Sequence, residues 1–273
     1  MSTLSNRTIL MSGGSRGIGL AIALRAAQDG ANVALLAKTD TPDPRLEGTV
    51  HTAAAAIDAA GGSALAIVGD VRDDASVASA VQQTVDRFGG IDIVVNNASA
   101  IDLSKTGDLP MKKYDLMQDI NTRGSFLLAK TALPHLSASE HAHVLTLSPP
   151  LNLNPKWAGA HLGYTIAKYG MSLVTLGLAE ELKDAGIAAN SLWPRTMIAT
   201  AAVQNLLGGD EAMRISRSPQ IMADAAHVVL TSDPRECTGN FFMDDEVLAS
   251  VGITDLSPYG PPLGQLGLDI FLD

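Results

Sequence analysis

Short, continuously apolar runs recur along this chain, and a helix-like stretch separates most of them from the next. Runs without polar alternation are typical of strands that are buried on both faces of a parallel sheet. Alternation of such strands with helices predicts an α/β fold, a doubly wound parallel sheet with helices on both faces. The predicted strands are TILMS (8–12), NVALLA (32–37), ALAIV (64–68), IDIVVN (91–96), HVLTLS (143–148) and AANSLW (188–193), with NFFM (240–243) as a weaker seventh.

The domain organisation is simple. The sequence has no internal repeat and no linker, so residues 1–273 are expected to form a single domain. A polar loop with prolines is predicted over 38–48, after the second strand. Residues 253–273 are rich in proline and glycine and are expected to form an extended tail. Its apolar end, Ile270-Phe271-Leu272, is expected to pack on the domain or on a partner subunit.

Composition restricts the classes of function. Hydrophobic residues make up 46% of the chain and the net charge is −10, which favours a globular core and argues against nucleic-acid binding. Cys237 is the only cysteine, which excludes internal disulfides, and the six histidines lack the spacing of metal ligands. No run of about 18 apolar residues and no signal-peptide pattern occurs. We therefore expect a soluble, cytoplasmic protein with no metal site and no membrane span.

A glycine cluster follows the first predicted strand. The run SGGSRGIG places Gly13, Gly17 and Gly19 immediately before a predicted helix. Glycines let backbone N–H groups approach a pyrophosphate, and the helix N-terminus adds partial positive charge. A glycine cluster alone can be a simple turn, but its position between strand and helix predicts a dinucleotide site.

The end of the second strand indicates which dinucleotide binds. An acidic residue there would hold the adenosine ribose and favour NAD. Here Lys38 follows the strand, and Arg16 lies within the glycine turn. Two cations suit the additional phosphate of NADP, so NADP is the predicted cofactor and NAD is less favoured. The alternative is that both cations are solvated surface charges.

A tyrosine and a lysine lie one helical turn apart in YTIAK, which opens a long apolar helix. The spacing places Tyr164 and Lys168 on one helical face. A nearby ammonium favours the phenolate and lowers the tyrosine pKa, as the charge of an oxidised nicotinamide would also do. Elsewhere such a pair is usually a surface pair, but after this glycine turn and five strands it predicts a proton-transfer site.

The order of these motifs resembles a known family. GGSRGIG, Asp70-Val71, NNAS (96–99), Asn121, Ser148 and YTIAK follow one another as in the classical short-chain dehydrogenase/reductase family, over nearly the whole chain. More narrowly, SPPLNLNP, YTIAKYGMS and the final FLD resemble the dehydrogenase domain of the hydroxysteroid dehydrogenase-like protein 2 group, in which a sterol-carrier domain often follows. The resemblance implies a single Rossmann-type doubly wound sheet of about seven strands and NAD(P)-linked interconversion of alcohols and carbonyls.

The resemblance also implies roles for individual residues. Tyr164 would donate and accept the proton, and Lys168 would bind the nicotinamide ribose. Asn121 would hold a water that relays protons, and Ser148 would hydrogen-bond the substrate oxygen. The expected cofactor-binding residues are Gly13, Ser15, Arg16, Gly17, Ile18, Gly19, Lys38, Asp70, Val71, Asn97 and Lys168.

Three of these roles have structural alternatives. Asp70 and Asn121 each precede a predicted helix and could serve as N-caps. Ser148 precedes Pro149, which fills the position where the family has a second hydroxyl residue, and the connection to Tyr164 is longer than usual. The Ser148 hydroxyl could cap the strand end, but we expect it to face the site and orient the substrate oxygen.

The predicted function is that of an NADP(H)-dependent oxidoreductase acting on an alcohol or carbonyl of an apolar, acyl or steroid-like substrate. Residues 197–202 and QNLLGGDEAM (204–213) resemble a mobile substrate lid in which Gly208 and Gly209 could be hinges, and Arg195 could bind an acidic substrate group. The alternatives are a non-catalytic dinucleotide-binding sensor or scaffold, and an enoyl reductase. A homodimer or homotetramer is expected, because the predicted helices at about 122–136 and about 164–183 are apolar on more than one face.

Overall fold

The computed structural model describes residues 3–43 and 48–273 and contains one seven-stranded sheet in the order β3-β2-β1-β4-β5-β6-β7. Every neighbouring pair of strands is parallel. This confirms the predicted doubly wound parallel sheet. The strands are β1 (Thr8–Ser12), β2 (Asn32–Ala37), β3 (Ser63–Val68), β4 (Ile93–Asn96), β5 (His143–Thr146), β6 (Ala188–Trp193) and β7 (Phe241–Met243).

The strand predictions differ from the structure mainly at the ends. β1, β2 and β6 have the predicted bounds. β5 ends at Thr146, two residues earlier than predicted, because the Ser148 N–H donates to Thr146 O at 2.9 Å and turns the chain out of the sheet. The predicted loop at 38–48 lies partly outside the described residues.

Helices cover both faces of the sheet. Helices α1, α2, α9 and α10 enclose one apolar core, and α3, α5 and α7 enclose the core on the opposite face. The helices are α1 (Gly17–Gln28), α2 (Val50–Ala59), α3 (Asp74–Phe88), α4 (Met111–Met117), α5 (Gly124–Leu136), α6 (Pro155–Ala160), α7 (Leu162–Glu181), α8 (Gly209–Arg214), α9 (Gln220–Leu230) and α10 (Asp244–Ser250). Within the described ranges, none is long and apolar enough to cross a bilayer.

The sheet has its topological switch point between β1 and β4. The strands β2 and β3 extend to one side of β1, and β4 to β7 extend to the other. The chain therefore continues from β1 toward β2 on one side and from β4 toward β5 on the other. Such a reversal opens a crevice at the carboxyl edge, which is where open α/β sheets bind ligands. The glycine cluster follows β1, and Asn97 follows β4, so both lie at this crevice.

The segment after α10 returns across the carboxyl edge of the sheet. It contains two short 3₁₀ turns, Ser257–Tyr259 and Leu263–Gln265, and ends with Phe271 fully buried. The Phe271 ring lies 6.1 Å from the Tyr164 ring and 6.0 Å from the Trp193 ring. The apolar end of the chain therefore packs on the domain itself, beside the predicted catalytic tyrosine.

Candidate active site

The glycine turn after β1 requires glycine for steric reasons. Gly13 has φ of 74° and Gly17 has φ of 58°, a region that L side chains rarely adopt. A Cβ on Gly13 would lie 2.8 Å from the Ala98 Cα, and a Cβ on Gly19 would lie 2.5 Å from Asn97 Nδ2. The turn can therefore pack against the loop after β4 only because these side chains are missing.

Asn97 ties the two loops of the crevice together. Its Nδ2 donates to Gly13 O at 2.7 Å and to Ser12 O at 3.2 Å, and its backbone N–H donates to the Ser12 hydroxyl. These bonds give Asn97 a structural role beside the expected cofactor contact, since they tie the ends of β1 and β4 together. Asn97 also lines the pocket described below, so the two roles are compatible.

The N-terminus of α1 fits a phosphate. Arg16 occupies the N-cap position without a side-chain cap bond, so the first N–H groups of the helix are not satisfied by that side chain. Ser15 is buried next to this helix end, and Gly17 and Ile18 line the pocket. Backbone donors and the helix dipole there match the pyrophosphate of a dinucleotide.

Three charged side chains lie together beyond the carboxyl ends of β2 and β3. The Lys38 ammonium lies 3.1 Å from Asp70 Oδ2, and Arg72 lies 2.6 Å from the same oxygen. The Arg72 guanidinium holds the pKa of Asp70 well below its usual range. Val71 is buried in the core beside them.

Two N-cap alternatives are excluded by the geometry. Asp73 rather than Asp70 caps α3, accepting from Ser76 N at 2.6 Å. Asn121 lies inside a continuous helical run, in a π-helical turn Gln118–Arg123 between α4 and α5. The helix predicted from residue 122 thus begins earlier than expected.

Asn121 instead anchors the loop after β4. It is fully buried, its Oδ1 accepts from Ala100 N at 2.7 Å, and its Nδ2 donates to Ala100 O at 3.0 Å. Both ends of the amide are thereby engaged by one backbone unit. The side chain positions the pocket wall, which includes Ile101.

A pocket of about 490 Å³ runs from the glycine turn to the aromatic cluster around Phe271. Arg16, Gly17 and Ile18 line one end, and Tyr164 and Lys168 line the other. Between them, its walls are mostly apolar. They include Ile101, Leu103, Leu147, Trp193, Met197 and Ile198.

Lys168 is buried, and its ammonium has three neighbours. Its Nζ donates to Leu147 O at 2.7 Å, lies 3.4 Å from Met171 Sδ, and lies 5.0 Å from the centre of the Trp193 ring. Burial lowers the pKa of Lys168 to about 7, and the negative charge of Asp269 opposes this shift. The predicted pairing with Tyr164 in one pocket is present, since α7 carries both side chains to it.

The pKa of Tyr164 departs from the expectation. Burial raises it above the ordinary tyrosine value, the charge of Asp269 raises it further, and an interaction with Ser99 acts in the opposite direction. Lys168 does not reverse this rise in the Tyr164 pKa, because the lysine is itself desolvated and its ammonium donates a hydrogen bond to Leu147 O. The groups of the protein alone therefore keep Tyr164 protonated, which suits a proton donor.

Ser148 does not face the pocket. It is fully buried, and its Oγ lies 2.8 Å from Ser191 Oγ, which in turn donates to Thr175 Oγ1 at 3.1 Å. Leu147 lines the pocket instead. The tight turn at the end of β5 places the serine hydroxyl next to Ser191. This geometry does not support the expected contact between Ser148 and the substrate oxygen.

The structure also places Arg195 and the two glycines of the expected lid. The Arg195 guanidinium pairs with Asp245 and Glu246 on α10 and is not among the pocket-lining residues. Gly208 and Gly209 have φ of 140° and 62°, in the region that favours glycine, which fits the expected hinge position between a π-helical turn and α8.

Two polar residues of the pocket were not predicted from the sequence as site residues. Ser99, in the quoted NNAS motif, and Asp269, one residue before the apolar end of the chain, both line the pocket with Tyr164. The only sequence signal for Asp269 is an acidic residue embedded in an otherwise apolar terminal segment. In the described part of the chain, no group of acidic, histidine or cysteine side chains could hold a metal ion.

Comparisons with known proteins identify the family to which the chain belongs. The family model of the short chain dehydrogenase matches residues 7–209, and the chain belongs to that family of oxidoreductases. Hydroxysteroid dehydrogenase-like protein 2 of Xenopus tropicalis is 54% identical over 271 residues, which cover 99% of this chain and 64% of the relative. The family and the narrower resemblance are thus confirmed. The chain spans less than two thirds of the length of the first curated relatives that it matches.

Solved structures share the fold. A Xanthomonas campestris protein is 58% identical and superimposes with a TM-score of 0.95, covering 99% of both chains. A short chain dehydrogenase of Mycobacterium thermoresistibile is 56% identical with a TM-score of 0.94, covering 99% of this chain and 96% of its own. The NADH-dependent reductase A1-R′, complexed with NAD, is 25% identical with a TM-score of 0.70, covering 88% of this chain and 95% of its own.

Proposed function

We propose that this protein is an NADP(H)-dependent oxidoreductase that interconverts an alcohol and a carbonyl on an apolar, acyl or steroid-like substrate. The observation that carries the proposal is the single pocket that joins the glycine turn to Tyr164 and Lys168. A dinucleotide held at the turn would reach the tyrosine within that pocket. One seven-stranded sheet supports the view that residues 1–273 act as one domain.

The groups at the proposed cofactor site match the chemistry of a dinucleotide. Gly13, Gly17 and Gly19, with the N-terminus of α1, would hold the pyrophosphate, and Asn97 and Lys168 would contact the nicotinamide side. The NAD in the reductase A1-R′ supports a nicotinamide cofactor on this fold. Lys38 at the end of β2 and Arg16 in the turn favour the extra phosphate of NADP.

Tyr164 is the proposed proton-transfer group. The bound cofactor supplies or accepts the hydride. In reduction Tyr164 Oη gives its proton to the substrate oxygen, and in oxidation it takes that proton back. Lys168 provides a cation beside the phenol and is the only ammonium among the described pocket-lining residues.

The pocket walls favour an apolar substrate. Ile101, Leu103, Met197 and Trp193 leave few hydrogen-bonding groups outside the catalytic end. A steroid or acyl chain would exchange water contact for these side chains. The name of the Xenopus relative, a hydroxysteroid dehydrogenase-like protein, is consistent with this class.

Self-association is proposed through α5 and α7. Phe126 on α5 and Ile166, Leu173 and Leu176 on α7 are large apolar side chains that remain 43% to 57% exposed. Exposed apolar side chains on two packed helices favour a homodimer or homotetramer. Light scattering should show a multiple of the chain mass of 28.4 kDa, and a mass of one chain would contradict the proposal.

The activity is tested by following NADPH and NADH oxidation with straight-chain ketones, ketosteroids and matched α,β-unsaturated compounds. Turnover of a carbonyl that is lost in Tyr164→Phe and kept in Tyr259→Phe would support the proposal. The Tyr259 hydroxyl bonds Asp224 at 2.6 Å outside the pocket, so it makes a matched control.

The same assay separates the two rival functions. Reduction of the carbon–carbon double bond alone would identify an enoyl reductase. Cofactor binding without turnover of any compound, unchanged by Tyr164→Phe, would indicate a dinucleotide sensor or scaffold.

A further inference from the structure

The carboxyl-terminal segment places an acidic side chain in the pocket with well-defined geometry. The Asp269 N–H donates to Arg195 O at 3.0 Å, and Ile270 O accepts from Trp193 Nε1 at 3.2 Å. Phe271 anchors the next position by its full burial. Asp269 is therefore held at the carboxyl end of β6 from both sides, although it lies far from the other pocket residues in sequence.

The carboxyl group of Asp269 has one oxygen available to a ligand. Its Oδ1 accepts from Ile270 N at 2.8 Å, while Oδ2 accepts no hydrogen bond from the described residues. Asp269 lines the same pocket as Tyr164 and Lys168, and its charge acts on both of them. This oxygen lies in a pocket with mostly apolar walls that also contains the proton-transfer tyrosine, and no described residue donates a hydrogen bond to it.

The pocket also lacks a hydroxyl where one is expected. At the end of β5, Ser148 Oγ is bonded to Ser191, and proline follows at position 149. Of the other described pocket-lining side chains with hydrogen-bonding groups, Arg16 and Thr200 lie by the glycine turn, and Asn97 and Trp193 are bonded to the protein. This leaves Ser99 and Asp269 besides Tyr164 and Lys168.

We propose that Asp269 is a catalytic residue that contacts the substrate oxygen together with Tyr164. The inference rests on the proposed carbonyl–alcohol activity. In reduction the carbonyl carbon gains the hydride, the π pair of the C=O bond moves to oxygen, and that oxygen takes the proton of Tyr164 Oη. Asp269 in its acid form donates a hydrogen bond to the same oxygen and keeps its own proton.

The acid form of Asp269 is the form that can do this, because a carboxylate would repel the charge that develops on the oxygen. Burial raises the pKa of Asp269 from 3.8 to about 7. The charged and titratable groups that face it are Tyr164 and Lys168 on α7 and Asp244 on α10. Asp244 favours the acid form and Lys168 opposes it.

The test compares Asp269→Asn, Asp269→Ala and the control Asp255→Asn across a pH series, with NADPH affinity and thermal unfolding measured in parallel. Asparagine keeps the Oδ1 acceptor for Ile270 N and donates from Nδ2 at every pH. We expect Asp269→Ala to lose turnover by about 100-fold without a loss of NADPH affinity. Asp269→Asn should stay within about threefold of the wild type at low pH. Asp255 is exposed in the same segment, so its variant should match the wild type.

The pH profile distinguishes a catalytic role from a structural one. The wild-type rate of reduction should fall as the pH rises through about 7, and this fall should disappear in Asp269→Asn. A fall that persists in Asp269→Asn would assign it to Lys168 and overturn the inference, as would wild-type turnover in Asp269→Ala. If the wild type itself turns over no carbonyl, the proposed function fails; if only the Asp269 variants behave like the wild type, the inference alone fails.

Discussion

Ser148 Oγ lies 2.8 Å from Ser191 Oγ of β6, and both serines are fully buried and absent from the described lining of the pocket. The serine that the sequence predicts as a substrate-binding group thus makes a structural hydrogen bond, which joins the end of β5 to the neighbouring strand β6. The physical cause is the tight turn at Thr146, which directs Leu147 to the pocket and Ser148 to the interior.

This geometry predicts that Ser148→Ala changes stability more than catalysis. The lost hydrogen bond should lower the free energy of unfolding by about 1 kcal/mol, while kcat stays within about threefold of wild type. Ser172→Ala is the matched control, since the Ser172 Oγ donates to Pro149 O at 2.6 Å in the same buried region. A large fall in kcat with unchanged urea unfolding would show instead that Ser148 reaches the substrate.

Phe271 is predicted to be the main anchor of the carboxyl-terminal segment. It is fully buried among aromatic rings, and its φ of 72° is a strained backbone angle that this packing must offset. Phe271→Ala should destabilise the docked segment by about 3–5 kcal/mol, whereas Phe271→Leu should cost less.

Limited proteolysis measures this effect directly. Cleavage between α10 and the end of the chain should become fast in Phe271→Ala, and turnover should fall because Tyr164 loses its stacked neighbour. Leu263→Ala, at an exposed site of the same segment, should be cleaved like the wild type. Equal protection of all three proteins would show that the segment is held by other contacts.

Lys38 is predicted to set the preference for NADP over NAD. Lys38 directly follows β2, and its ammonium forms an ion pair with Asp70. The adenosine ribose of the bound dinucleotide is expected beside this strand end. Lys38→Ala should raise KM for NADPH by about tenfold and leave KM for NADH nearly unchanged, because only the extra phosphate loses a charge-assisted bond. Steady-state kinetics with both cofactors tests this. Lys183→Ala, which removes an exposed cation just after the end of α7, is the control; equal effects on both cofactors would contradict the assignment.

His143 is predicted to make the protein less stable in acid. Its side chain is buried, and this burial lowers its pKa to about 3, with the charge of His141 acting in the same direction. The folded state therefore binds this proton less readily than the unfolded state, whose histidine titrates at 6.5. Stability from this residue is complete above about pH 6.5 and is lost as the pH falls toward about 3.

Urea unfolding between these two pH values measures the contribution. His143→Phe should flatten the acid side of the stability curve by an amount on the order of a few kcal/mol, because phenylalanine does not titrate. His51→Phe should change this limb far less, because the His51 ring and its partner Asp40 are both exposed and a surface pair contributes little. Parallel curves for wild type and His143→Phe would place the acid sensitivity elsewhere.

The order of elements could be read from the sequence because it depends on local chemistry. Short apolar runs such as TILMS and NVALLA are typical of buried strands. The glycines at 13, 17 and 19 form a turn in which other residues would be strained or would clash. The spacing of Tyr164 and Lys168 likewise placed them on one face of α7, since helical periodicity alone decides it.

Three properties of the site were decided by tertiary packing. The direction of Ser148 depends on the turn and on Ser191, a residue of the neighbouring strand. The high pKa of Tyr164 reflects burial and the charge of Asp269, neither of which has a local sequence signal. The entry of Asp269 into the pocket requires the whole chain, because a distant segment must return across the sheet and be held there by Phe271. The sequence by itself determined the fold, the glycine turn and the Tyr–Lys pair, because these depend on short-range geometry. The electrostatics of the pocket were decided by the tertiary structure, because they depend on contacts between residues far apart in the chain.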